Sequence, residues 1–211
     1  MPGFADILPT VDGSVRDGLH AVKDGNPDDV LDHSIVQVLN TARPTLPFED
    51  RGILEFNVSS LSQAAQVLLT LHTFGTVGPF PFSLDIYAYA GDGVLSLSDF
   101  NAGSLFTSVV YTGQPPIAID VTAAISTLNL PSSGFAGFNI RKPLADNIEM
   151  NGPFAAFGSN EYPLAATLSE IPAPSTVPEP SSILLFGTAV LALRGRSWVL
   201  RAHGLLSGKM R

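Results

Sequence analysis

The stretch FSLDIYAYAG, Phe82 to Gly91, alternates strictly: Leu84, Ile86 and Ala88 fall on one side, Asp85, Tyr87 and Tyr89 on the other. Successive side chains of a β-strand point to opposite faces, so this pattern predicts a strand with one face buried and one wet. The pattern recurs along the chain. In RGILEFNVSS (51–60), Leu54, Phe56 and Val58 alternate with Glu55 and Asn57. In QVLLTLHTFG (66–75), Val67, Leu69 and Leu71 oppose Thr70 and His72. Ile117, Ile119 and Val121 repeat it, as do Ala136, Phe138 and Ile140. Turn-forming clusters such as GTVGPFPF (75–82) and NLPSSG (129–134) separate the runs. Short strands with this spacing predict an all-β fold, an antiparallel jelly-roll-like β-sandwich over residues 5–170. One helical interruption is expected at DVTAAISTLNL (120–130), where Val121, Ala124, Ile125 and Leu128 share a face and Asp120 or Thr122 stands at the start.

Composition agrees. Apolar residues make up 45% of the 211, enough for a core, and the 19 Gly and 17 Pro favour turns over long helices. The absence of cysteine excludes disulfides and thiolate chemistry. Charge is divided unevenly. All 19 acids lie at or before Glu179 with only six of the cations, a net of −13, whereas the five remaining cations follow Pro180 with no acid. A body so acidic repels phosphate backbones, so nucleic acid is not expected as a partner.

Two acidic loops carry oxygens suited to Ca²⁺. KDGNPDDVLDHS (23–34) offers Asp24, Asn26, Asp28, Asp29 and Asp32, with His33 beside them. AGDGVLSLSDF (90–100) resembles the second half of an EF-hand loop, with Asp92 and Asp99 as ligands, but Ala88 and Ala90 stand where oxygen donors belong. The alternative for both is a solvated turn held by Asx side chains. Tyr87, Tyr89 and Tyr111 are either core packing or a platform for sugar rings. No nucleophile elbow, zinc-protease helix motif or P-loop is present in the sequence, and a non-enzymatic role is the expectation.

The tail differs from the body. IPAPSTVPEP (171–180) is a proline-rich linker, and residues 181–200 read as a membrane or sorting helix ahead of a basic tail, 201–211. The apolar run Ile183–Leu193 includes Leu184, Leu185, Phe186, Val190 and Leu191. At ~1.5 Å per residue it spans about 16 Å, short of a hydrocarbon core of ~30 Å. Arg194 and Arg196 follow it as a basic stop, in the sense of the positive-inside rule.

The order Val177-Pro178-Glu179-Pro180, apolar helix, Arg194-Gly195-Arg196 resembles a PEP-CTERM sorting segment, a type also catalogued as an ice-binding protein C-terminal domain. The resemblance implies recognition of Pro-Glu-Pro by an exosortase, a transient inner-membrane anchor, and release to the cell surface or an exopolysaccharide matrix. It implies nothing about ice. The body, in ADILPTVDGSVRDG, RGILEFNVSSL, IAIDVTAAI and FAGFNIR, is similar to β-sandwich domains found ahead of such tails and to DNRLRE-type jelly rolls, some of which bind polysaccharide. Members of the sorting family carry a secretion signal, and MPGFADILPT is not one, so the true start is expected upstream. The leading expectation is thus an exported, non-enzymatic surface or matrix protein, with a carbohydrate-binding module as the alternative.

Overall fold

The computed structural model describes residues 6–18, 23–31, 35–41, 47–61, 66–77, 81–113, 116–130, 134–143, 154–161 and 164–171. They lie in the compact unit Met1–Ala173. Asp32, His33, most of the linker, the sorting motif, the apolar run and the basic tail lie outside the described residues.

Among the described residues the chain forms twelve strands and one short α-helix. The strands are β1 (Val11–Asp17), β2 (Asp29–Leu31), β3 (Ile35–Thr41), β4 (Phe48–Asn57), β5 (Gln66–Leu71) and β6 (Thr73–Val77), then β7 (Phe82–Ala90), β8 (Ser104–Tyr111), β9 (Ile117–Asp120), β10 (Phe135–Arg141), β11 (Phe154–Gly158) and β12 (Thr167–Ile171). Every ladder between them is antiparallel. One layer runs β8–β7–β10–β4–β1–β2. The other contains β12–β5–β9 and is extended by β6–β11–β3, because β5 runs into β6 with only His72 between them. Strand β3 serves both layers: Val36 and Val38 pair with β11, whereas Leu39 to Thr41 pair with Asp50 to Phe48 on β4.

The alternating residues of both layers meet in a single core. Leu54, Phe56, Leu84, Ile86, Phe138 and Ile140 of the first layer pack with Val36, Leu69, Leu71, Ile119, Phe157 and Leu168 of the second. Phe138 meets Phe56 edge to face, centroids 6.1 Å apart. The all-β sandwich expected from the alternation is therefore the fold. The helix α1 (Thr122–Thr127) forms where its periodicity places it. Asp120 accepts the Thr122 N–H and hydroxyl, while Ala124 is buried and Ile125 and Leu128 pack on the core.

The outer face of the first layer departs from the alternation rule. Glu55 and Asn139 are fully buried there, and Tyr89 nearly so. The segment between β7 and β8, with a 3-10 turn at Leu97–Asn101, lies over this face and packs Phe100 on Val15 and Ile53. The Asn139 amide donates to the carbonyls of Asp99 and Phe100. Arg51 lies 3.7 Å over the Phe100 ring and donates to the Phe100 carbonyl.

Truncating Phe138 to Ala removes a buried ring from a core filled from both layers and is expected to cost about 3–5 kcal/mol. Val110→Ala, at a position 65% exposed on β8, is expected to stay within about 0.5 kcal/mol. Urea unfolding of both variants checks the pair.

Candidate functional site

A cleft of about 460 Å³ opens on the described surface at one end of the six-stranded layer. Thr10, Asp12, Asn160 and Glu161 supply its polar wall, and Val11, Val30, Val94 and Leu95 its apolar one. Three segments far apart in sequence meet here: the start of β1 with β2, the connection after β7, and the turn after β11.

Each wall is tied down by named bonds. The backbone of Thr10 donates to the Glu55 carbonyl (2.7 Å), which extends the β1–β4 ladder to the cleft. The Gly93 N–H donates to Glu55 Oε2 (2.7 Å), and the Gly91 N–H to the Phe135 carbonyl. Asp92 accepts the Val94 N–H, closing an Asx turn, and Leu95 packs inward on the Val15–Ile53–Phe100 cluster. On the far wall the Asn160 N–H donates to Asp12 Oδ2 (2.8 Å), and Ser159 donates to Glu161 (2.7 Å).

The carboxylate beneath the cleft is the fixed point. Glycines make room for it: a Cβ on Gly91 would sit 2.6 Å from the Glu55 carboxyl carbon, and one on Gly137 2.3 Å from the Tyr89 ring. Glu55 Oε1 and the Tyr89 hydroxyl are both buried without a well-formed hydrogen bond. Burial pushes the Glu55 carboxyl above the ordinary Glu range, only partly offset by the Gly93 N–H, and the nearby Asp99 and Asp92 charges add to the rise. Burial and the Glu55 charge hold the Tyr89 hydroxyl protonated far past its usual value. Asp99 is likewise raised by burial.

The described carboxylates named as possible calcium ligands have partners within the chain. Asp24 accepts the Asn26 N–H, Asp28 accepts the Gly18 N–H, and Asp29 stands opposite Arg16 in the β1–β2 ladder. Asp24, exposed, is held below the usual carboxylate range mainly by that Asn26 amide. Asp99 closes a capping box with Ser96, and Asp92 holds Val94. Among the described residues no three His, Asp or Glu come together to hold a metal ion. Within the described parts of the two loops, Asp24, Asp28, Asp92 and Asp99 accept backbone N–H groups. The tyrosines also separate. Tyr111 is core, donating to Thr73, and Tyr89 is covered. Tyr87 is half-buried with Arg141 stacked 3.7 Å over its ring, so these three tyrosines present no open aromatic platform. Burial, with the neighbouring Arg51 charge, pushes the Arg141 guanidinium down to about 10.

Beyond the described residues, positions 176–197 match the family model of the PEP-CTERM protein-sorting motif. The tail carries a PEP-CTERM sorting signal. The match spans Val177-Pro178-Glu179-Pro180, the apolar run and the Arg194–Arg196 pair that the sequence singled out. Such a motif marks a chain for export through exosortase, a membrane enzyme. No curated protein matches the chain. Among the described residues no helix is long and apolar enough to cross a membrane.

Glu55 carries a pH signature. Its folded pKa is raised, so the folded state holds a proton that the unfolded chain releases, and its contribution to stability falls as pH rises from the ordinary Glu value of about 4.3 through the folded value. Glu55→Gln is expected to flatten that decline, so that the variant gains on the wild type as pH increases. Melting temperatures from pH 4 to 8, on the order of one unit apart, test this; parallel curves for the two proteins refute it.

Proposed function

We propose that this is an exported, non-enzymatic protein whose β-sandwich is delivered to the cell surface or an extracellular exopolysaccharide matrix by its sorting tail. The observation that carries the reading is the match at residues 176–197. Pro178-Glu179-Pro180 is the recognition element, Ile183–Leu193 a transient inner-membrane anchor, and Arg194 with Arg196 the cytoplasmic stop. The layout has a physical logic. An apolar run of 11 residues falls short of the ~20 that span a bilayer, which suits a segment held briefly and then removed.

A second reading, a module that binds extracellular polysaccharide, is favoured by the cleft between Asp12, Glu161 and Val94. It joins hydrogen-bonding groups to aliphatic ones, as a sugar ring with polar edges and apolar faces requires.

Replacing Pro178-Glu179-Pro180 with three alanines in a cell that makes exosortase is expected to leave the protein in the membrane fraction, whereas the wild type is released. Immunoblots of membrane, surface and medium fractions measure the difference. Equal release of both proteins rules out the sorting role.

A further inference from the structure

We infer that the cleft between β1, β2 and the Gly93–Leu95 segment binds a sugar unit bearing a protonated amine, an inference that rests on the polysaccharide-binding reading. Its polar wall is dominated by acceptors. Asp12 is 7% exposed, and Glu161 stands at the solvent edge of the same opening. Hydroxyl groups satisfy acceptors only in part, whereas an ammonium group brings three donors and a charge.

Apolar lining fixes the rest of the ligand. Val30 and Val94 are 38% and 60% exposed, and both line the cleft. Aliphatic groups and carboxylates lining one cleft fit a ring with an apolar C–H face and a polar rim better than a bare ion. A cavity of about 460 Å³ lies within the usual size for small-ligand sites, roughly 300–1,000 Å³. The body's net charge of −13 disfavours uronic or sulfated sugars. The cleft is also preformed. The Gly93 N–H on Glu55 and the Asn160 N–H on Asp12 hold its walls before any ligand arrives, which lowers the ordering cost of binding.

The test is calorimetric titration of the full chain at ~0.15 M salt with three tetrasaccharides: glucosamine with free amines, its N-acetylated counterpart, and a uronic acid oligomer. Binding of the amine form, about ten-fold weaker for the acetylated form and lost for the uronate, is expected. Glu161→Gln and Asp12→Asn are each expected to weaken the amine form by about ten-fold, and Asp24→Asn, in the exposed loop outside the cleft, to leave it unchanged. Because Glu161 is exposed, its variant remains decisive if Asp12→Asn fails to fold. Saccharide binding that Glu161→Gln leaves intact, or that Asp24→Asn reduces equally, overturns the cleft as the site while the polysaccharide reading stands. Tetralysine binding as tightly as the amino sugar overturns the saccharide assignment. No binding to any of the three sugars overturns both.

Discussion

Strand β4 carries the first layer. One of its edges pairs with β1 from Glu49 to Glu55, and the other passes from β3 at Phe48–Asp50 to β10 from Gly52 onward. Its side chains face two covered surfaces. Leu54 and Phe56 point into the core, and Ile53 and Glu55 point beneath the segment that follows β7. A sheet buried on both faces must satisfy every polar group it carries, since an unpaired buried group costs roughly 1–3 kcal/mol. That requirement accounts for the glycines at 91 and 137 and for the Asn139 amide spanning two carbonyls. It also accounts for the Arg16–Asp50 pair, where two guanidinium nitrogens grip a buried carboxylate at 2.5 and 2.7 Å.

Glu55 is where the requirement is met least completely. One oxygen holds Gly93, and the other faces the Tyr89 hydroxyl's surroundings without a well-formed bond. An apolar residue would remove that cost but would leave the Gly93 N–H unmatched and the cleft wall loose. The carboxylate therefore trades stability for the position of a loop. This trade is the physical link between the core of the sandwich and the only wall of the cleft built from a long connection between strands.

The core face was legible from local alternation, because burial by the second layer imposes period two on every strand it touches. Leu54, Leu69, Ile86 and Phe138 were each assigned to it by parity alone. The outer face was not legible. Alternation marks Glu55, Tyr89 and Asn139 as non-core, but whether they meet water depends on the segment after β7, which lies some 40 residues from Glu55 and Asn139 in the chain. The acidic loops admit two readings for a related reason. Oxygen spacing is the same whether a carboxylate awaits a cation or caps a backbone N–H, and at Asp24, Asp92 and Asp99 the local backbone supplies the donor. The cleft has no contiguous signature, since residues 10–12, 30, 93–95 and 160–161 meet through β1–β2 and β1–β4 pairing and the Gly93–Glu55 and Asp12–Asn160 bonds. The sorting motif is the opposite case: its elements are consecutive, so the sequence displays them directly.

Charge then separates what acts at long range from what acts at a site. At physiological salt the Debye length is about 8 Å, so most of the body's −13 is screened from a ligand beyond the first shell of solvent. Surface carboxylates such as Asp24 thus contribute to solubility and to the rejection of polyanions, with little selectivity among neutral or cationic partners. A carboxylate in a partly enclosed wall is screened less, because neighbouring atoms displace both water and counterions. Asp12, buried and accepting the Asn160 backbone N–H, is in that position. Selectivity at the proposed cleft would therefore depend less on the number of acids than on the few that the fold withdraws from solvent.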